Sequence, residues 1–191
     1  MKVRFFITLM VLVAFFAGCE SKKEGVSKSQ SSGVKSERAA SERENIVVKL
    51  KDVDGNEIVL DQVNNGFKMR GEEGKILIVS FFATWCPPCK AEIPHLIDIQ
   101  NKFKDKVVVL GVLLEDNKPM EEVKSFIKYH NINYKIVVGD GNFKLATLIG
   151  GVKSIPLLIV YDKDGNYVTH YLGAVPEEMM EADIKRVIDK K

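Results

Sequence analysis

Ile76-Leu77-Ile78-Val79-Ser80-Phe81-Phe82 runs without a charge into Ala83-Thr84-Trp85-Cys86-Pro87-Pro88-Cys89-Lys90, and the reading of this stretch decides the fold. The apolar run has the length of a buried strand. The segment from Pro87 to Phe103 reads as a helix, which puts Cys86 and Cys89 one turn apart at its start. There Cys86 meets unpaired backbone N–H groups and the positive end of the helix dipole, and both stabilise a thiolate over a thiol. Cys86 is therefore the expected nucleophile and the only solvent-reachable thiol of the pair. Cys89 is near enough to close a short disulfide and expel what Cys86 has captured. A zinc site would need a second ligand pair. His95, His130 and His170 each stand alone.

Working outward, Ile93, Leu96, Ile97 and Gln100 recur at helical spacing, with a kink expected at Pro94. Val107 to Leu114 reads as a second buried strand, parallel to the first, so the dithiol sits in a β-α-β unit. Upstream, Ile46 to Leu50 and Glu57 to Leu60 flank Asp54-Gly55 as a hairpin. Downstream come a helix over about 119–129, a strand over 134–138, and a short helix over 143–149 ending at Gly150-Gly151. A second hairpin follows, Leu157 to Tyr161 and Tyr167 to Leu172, around Asp164-Gly165. The last helix spans about 176–189, acidic at its start and basic near its end. The Asp-x-Asp-Gly-Asn repeated in both hairpins does not space as a calcium loop. Such a loop needs glycine at the sixth position and glutamate at the twelfth. Those positions hold Glu57 and Val63 counted from Asp52, and Tyr167 and Gly173 counted from Asp162.

Residues 1–18 combine Lys2 and Arg4, an apolar core from Phe5 to Phe16, and small residues before Cys19, the anatomy of an export signal. Phe16-Ala17-Gly18-Cys19 resembles the lipobox of bacterial lipoproteins. That resemblance implies lipidation of Cys19, and ordinary cleavage would instead leave an orphan thiol in an exported protein. Residues 19–45 hold too few apolar side chains to repay ordering and read as a flexible tether. This leaves residues 46–191 as one folded domain. Lys2 and Arg4 account for the whole formal charge of +2. With no basic surplus in the remainder, no nucleic-acid partner is expected.

Phe82-Ala83-Thr84-Trp85-Cys86-Pro87-Pro88-Cys89-Lys90-Ala91-Glu92-Ile93-Pro94, with the later Gly151-Val152-Lys153-Ser154-Ile155-Pro156, resembles the TlpA/ResA-like family of membrane-tethered thiol-disulfide oxidoreductases. The resemblance covers most of residues 46–191. It implies an α/β, thioredoxin-like fold: a central mixed β-sheet flanked by helices, with an N-terminal β-hairpin and an inserted helix and strand before a cis-proline. Carried over by position, Cys86 attacks, Cys89 resolves and Pro156 is the cis-proline. Ile155 offers strand-like hydrogen bonds to a bound peptide, and Trp85 and Pro87 flank it. Glu92 shares a helix face with Cys89 by its spacing, and the resemblance gives it a part in proton transfer. Ser80 stands where thioredoxin has a buried aspartate, which places more weight on Glu92. Leu157, where the family often has threonine, makes the substrate edge more apolar.

The resemblance also implies disulfide-containing exported proteins such as apocytochrome c as substrates, and a membrane electron donor of the CcdA/DsbD type. It implies a monomer held to the bilayer through Cys19, outside the cytoplasm, on the periplasmic side in a Gram-negative cell. Neither cofactor nor metal is expected. Pro87-Pro88 supplies no charge to hold a thiolate, which favours a reductant over an oxidant. An oxidase or isomerase of the same fold is one alternative. A soft-metal chaperone is the other, and the lack of a Met-rich tract weighs against it.

Overall fold

The strand that runs into the dithiol segment, Ile76–Phe82, lies inside an eight-stranded mixed sheet whose spatial order is Gly66–Met69, Glu57–Val63, Val47–Asp52, Lys135–Val138, Val107–Leu113, Ile76–Phe82, Leu157–Tyr161 and Tyr167–Leu172. The structure is a computed structural model and describes residues 46–189. The signal, Cys19 and the tether expected from the sequence lie outside the described residues. The chain runs β1 (Val47–Asp52), β2 (Glu57–Val63), β3 (Gly66–Met69), β4 (Ile76–Phe82), α1 (Pro87–Lys102) and β5 (Val107–Leu113). It continues through α2 (Met120–Tyr129), β6 (Lys135–Val138), α3 (Gly141–Leu148), β7 (Leu157–Tyr161), β8 (Tyr167–Leu172) and α4 (Glu177–Asp189). The α/β thioredoxin-like architecture expected from the sequence is present, and β4 pairs in parallel with β5 from Ile76↔Val107 to Phe82↔Leu113.

Alternation along β4 divides the core. Leu77, Val79 and Phe81 join Leu50, Leu60, Phe67, Leu110, Leu145 and Ile159 on the face that α3 and the first three strands cover. Ile76 and Ile78 join Leu96, Ile99, Val109, Leu158, Met180 and Ile184 on the other face, under α1 and α4. Full burial of such a side chain contributes roughly 1.5–3 kcal/mol. Leu96 and Ile99 thus dock α1 firmly, and with it the cysteines at its N-terminus. The buried stripe of α1 is Cys89, Glu92, Ile93, Leu96 and Ile99. It therefore passes through a glutamate, where helical spacing alone emphasised Ile97 and Gln100.

Two further departures have plain causes. Strand β3 follows β2 across a tight turn with Asn64 at φ 43, and it has no alternating pattern to announce it. It becomes a strand because Phe67 and Met69 reach the core while its backbone pairs with β2 from Leu60↔Met69 to Val63↔Gly66. Helix α3 begins at Gly141 rather than Phe143, since buried Asn142 donates from Nδ2 to the carbonyls of Leu113 and Val137 at 2.8 Å each. Its end matches the sequence reading. Gly150 (φ 94) and Gly151 bond back to Thr147 and Ala146, the Schellman pattern.

The first three strands curl over the sheet until the start of β3 meets the β7–β8 turn. Phe67 stacks edge-on against Tyr161 with centroids 5.8 Å apart, and Asn64 Nδ2 donates to Asn166 Oδ1 at 3.0 Å. A Cβ on Gly66 would collide with the Gly165 carbonyl oxygen and the Tyr161 ring. Gly66→Ala is expected to cost about 1–3 kcal/mol by overpacking. Urea denaturation checks this, and an unchanged midpoint would mean that the meander shifts freely.

Candidate active site

Helix α1 starts on Cys86, whose extended backbone (φ −83, ψ 112) makes it the N-cap. Its Sγ accepts the Cys89 N–H at 3.3 Å, so the sulfur occupies the position of a capping oxygen. Cys86 and Cys89 are joined as a disulfide with Cα atoms 5.3 Å apart. Both are 3 % exposed, so the expected difference in accessibility is not present in this oxidised form. Each sulfur covers the other, and the Ile155 carbonyl oxygen lies 3.9 Å from Cys86 Sγ. What distinguishes the two is the cap position.

Around the disulfide, Ile155-Pro156 is cis, and the Pro156 carbonyl accepts the Gly173 N–H at 2.9 Å. Trp85 is 67 % exposed, which excludes a core-packing role and leaves its ring free beside the cysteines. Pro87 is exposed on the first turn of α1. The loop leading into Cys86 is held from below, where the Glu115 carboxylate accepts the Thr84 N–H. Lys118 in turn holds that carboxylate at 3.5 Å. Glu115 was not singled out from the sequence, although its place just beyond the C-terminal end of a parallel strand is a known signal for sites in α/β sheets.

Glu92, one turn behind Cys89, is 1 % exposed, so it is not a solvated surface carboxylate. Burial pushes its carboxyl up to about 8, and the backbone N–H of Val175 opposes that shift. Glu92 Oε1 has no hydrogen-bond partner among the described residues. Ser80 and Gly111 lie side by side in the β4–β5 register, on the face that α1 covers. A Cβ on Gly111 would meet Ile136, Phe82 and the Tyr134 ring, so that volume is already shared among neighbours. Burial raises the Tyr134 hydroxyl, and the Glu92 charge raises it further. Ser80 is itself buried, and so is Leu157. No cluster of three His, Cys, Asp or Glu side chains able to hold a metal occurs among the described residues.

The cap geometry has a direct consequence for the reduced protein. Alkylation of Cys86 is expected to follow a thiolate pKa below the free value of about 8.5, with Cys89 reacting later. Mass spectrometry of iodoacetamide-treated protein across a pH series reads both sites. Faster labelling of Cys89 would reverse the assignment drawn from the cap.

The AhpC/TSA family model matches residues 43–175, from the first strands through the cis-proline and β8. The thiol-disulfide oxidoreductase ResA of Bacillus thuringiensis is 27 % identical over 132 residues, 69 % of this chain and 75 % of that protein. The thiol:disulfide interchange protein HelX of Rhodobacter capsulatus is 30 % identical over 112 residues, 59 % of this chain and 60 % of that protein. Among solved structures, a thioredoxin-family thiol:disulfide interchange protein of Chlorobium tepidum superposes with a TM-score of 0.58 at 27 % identity, covering 74 % of this chain and 93 % of that one. StoA of Bacillus subtilis shares the fold, with a TM-score of 0.57 at 23 % identity over 73 % of this chain and 96 % of that one. A helix capped by one cysteine of a dithiol, a cis-proline opposite it and these relatives converge: the chain belongs to the AhpC/TSA family, as a ResA-like thiol-disulfide oxidoreductase of thioredoxin fold.

Proposed function

We propose that this protein is a lipid-anchored, extracytoplasmic reductant that cleaves disulfides of exported proteins, apocytochrome c among them, with Cys86 as nucleophile and Cys89 as resolver. The observation that carries this reading is the Cys86 sulfur capping α1, with a buried carboxyl one turn behind Cys89. In the reduced enzyme the Cys86 thiolate attacks one sulfur of the substrate disulfide. A mixed disulfide forms, and the first substrate thiolate leaves and takes up a proton. Cys89 then yields its proton to Glu92 in the fraction of enzyme in which that carboxyl is ionised, a fraction that grows as pH approaches about 8, and attacks Cys86 Sγ. The second substrate thiolate departs, and the proton held on Glu92 passes to it or to solvent. Two electrons have moved from enzyme to substrate, and the enzyme holds the Cys86–Cys89 disulfide. A membrane dithiol donor of the CcdA/DsbD type returns them.

Several features support the substrate side of this reading. Trp85 and Pro87 are exposed beside the cysteines, and the Ile155 carbonyl lies against Cys86 with its edge available to an extended peptide. Pro156 contributes no N–H there, so nothing competes for the approaching backbone. No helix among the described residues is long and apolar enough to cross a membrane. Attachment through Cys19 is supported by the lipobox resemblance of Phe16-Ala17-Gly18-Cys19. Replacing Cys19 by serine is expected to release the protein from the membrane fraction.

The residues between the cysteines support this direction of electron flow. Apart from backbone N–H groups, nothing in Pro87-Pro88 stabilises a thiolate, so the reduced form gains less than in a strong oxidant. A reduction potential near that of thioredoxin, about −270 mV, is expected from equilibration with dithiothreitol buffers. A value above about −150 mV would overturn the reductant and make the protein a disulfide donor.

A further inference from the structure

His95 and Glu92 stand one turn apart on α1 and engage the same residue of the β8–α4 loop. The Val175 N–H faces the Glu92 carboxylate, and the Val175 carbonyl lies 2.9 Å from His95 Nδ1. A carbonyl oxygen only accepts, so Nδ1 carries the proton and donates. At the other end of the same loop, the Gly173 N–H is bonded to the Pro156 carbonyl. The loop is therefore fastened twice, once to the cis-proline segment and once to the helix that carries the cysteines.

We propose that His95 is a positioning residue: its Nδ1–H holds Val175 so that the Val175 N–H stays against Glu92 and sets how readily that carboxyl ionises. The proposal rests on the proton role given to Glu92 above. Val175 lies 80 positions from His95 in the chain; its buried side chain packs in the cluster that holds Leu96 and Ile99 of α1, and the His95 contact fixes the orientation of its peptide group there. The neighbours do not supply a substitute. Among the described residues, the titratable group that feels the Glu92 charge is Tyr134, whose hydroxyl is kept neutral by burial. Farther along the α1–α4 seam, Asp98, Lys102, Glu177 and Glu181 interact with one another. On the α2 side, Lys90 acts on His130. Without the latch, the Val175 N–H, which favours the ionised carboxyl, is held less closely.

The test reads the Glu92 carboxyl directly, by carbon-13 NMR or infrared titration of the oxidised protein, so it does not depend on turnover. His95→Leu is expected to raise the Glu92 midpoint by about half to one pH unit, a roughly three- to tenfold change in its ionisation constant. In His95→Asn the amide Nδ2 replaces Nδ1 as donor, and the parent midpoint should return to within a few tenths of a unit. His95→Gln puts its donor at the wrong reach and should behave as leucine does. The Asn and Gln pair decides the matter even if the leucine variant does not fold. A midpoint unmoved in Leu and Gln, or moved equally in Asn and Gln, overturns the proposal. The proton role of Glu92 fails separately, if Glu92→Gln keeps the parent pH-rate profile while the titration still responds to His95.

Discussion

Cys86→Ser reduces disulfide exchange at least about 10³-fold, because the nucleophile of a covalent mechanism accounts for several orders of magnitude in rate. A serine hydroxyl in the same cap position still accepts the Cys89 N–H, so the helix start survives. It is not ionised near neutral pH, however, and cannot form a disulfide. Cys89→Ser is expected to do something different. The first attack proceeds, no resolving thiolate follows, and the mixed disulfide on Cys86 accumulates with the substrate. The pair is measured by stopped-flow exchange with a disulfide peptide and by non-reducing electrophoresis of cells expressing each variant. Should Cys86→Ser still capture substrate while Cys89→Ser does not, the roles are exchanged and the cap does not choose the nucleophile.

The second large effect concerns stability against pH. The folded-state carboxyl of Glu92 is raised from 4.5 to about 8 by burial. A group raised in this way leaves the fold unpenalised below its unfolded pKa. As pH rises through that value the unfolded chain ionises and gains, while the folded chain stays protonated until about 8. Stability therefore falls across this window, since the unfolded state holds fewer protons than the native one. Between about pH 5 and about pH 9 the loss from Glu92 amounts to roughly 4 kcal/mol. Glu92→Gln abolishes the titration. Against the parent, the oxidised variant should gain about that much across the window, with a constant offset of about 1–3 kcal/mol for its own unmatched amide. Urea denaturation of both proteins at the two ends gives the difference, and other titrating groups cancel in the comparison. Parallel stability curves would show that Glu92 ionises freely in the folded protein.

The hairpins, the two buried parallel strands and the capped helix were legible because each is signalled within a few residues. Asp54-Gly55 and Asp164-Gly165 specify tight turns, and both are closed by an aspartate that accepts backbone N–H groups two and four residues on. Gly150-Gly151 marked the end of α3 for the same reason, since a left-handed cap is a local conformational demand. Strand β3 escaped because Gly66-Phe67-Lys68-Met69 is short and owes its form to the neighbour it pairs with. The start of α3 was misjudged because Asn142 is secured by carbonyls from β5 and β6.

The resemblance to the TlpA/ResA-like family supplied Pro156 as the proline facing the dithiol; the residues themselves supplied the dithiol, its place at a helix N-terminus and the β-α-β unit around it. These follow from strand and helix periodicity and from the unpaired N–H groups of a first helical turn, which act over a few residues. Tertiary structure alone decided that Glu92 is buried, that His95 meets the Val175 carbonyl, and that Glu115 reaches back 31 positions to hold Thr84. Spacing could place Glu92 on the face of Cys89, but not say what covers that face. A carboxyl's proton affinity depends on how much water is excluded and which dipoles remain, and distant parts of the chain supply both when they pack.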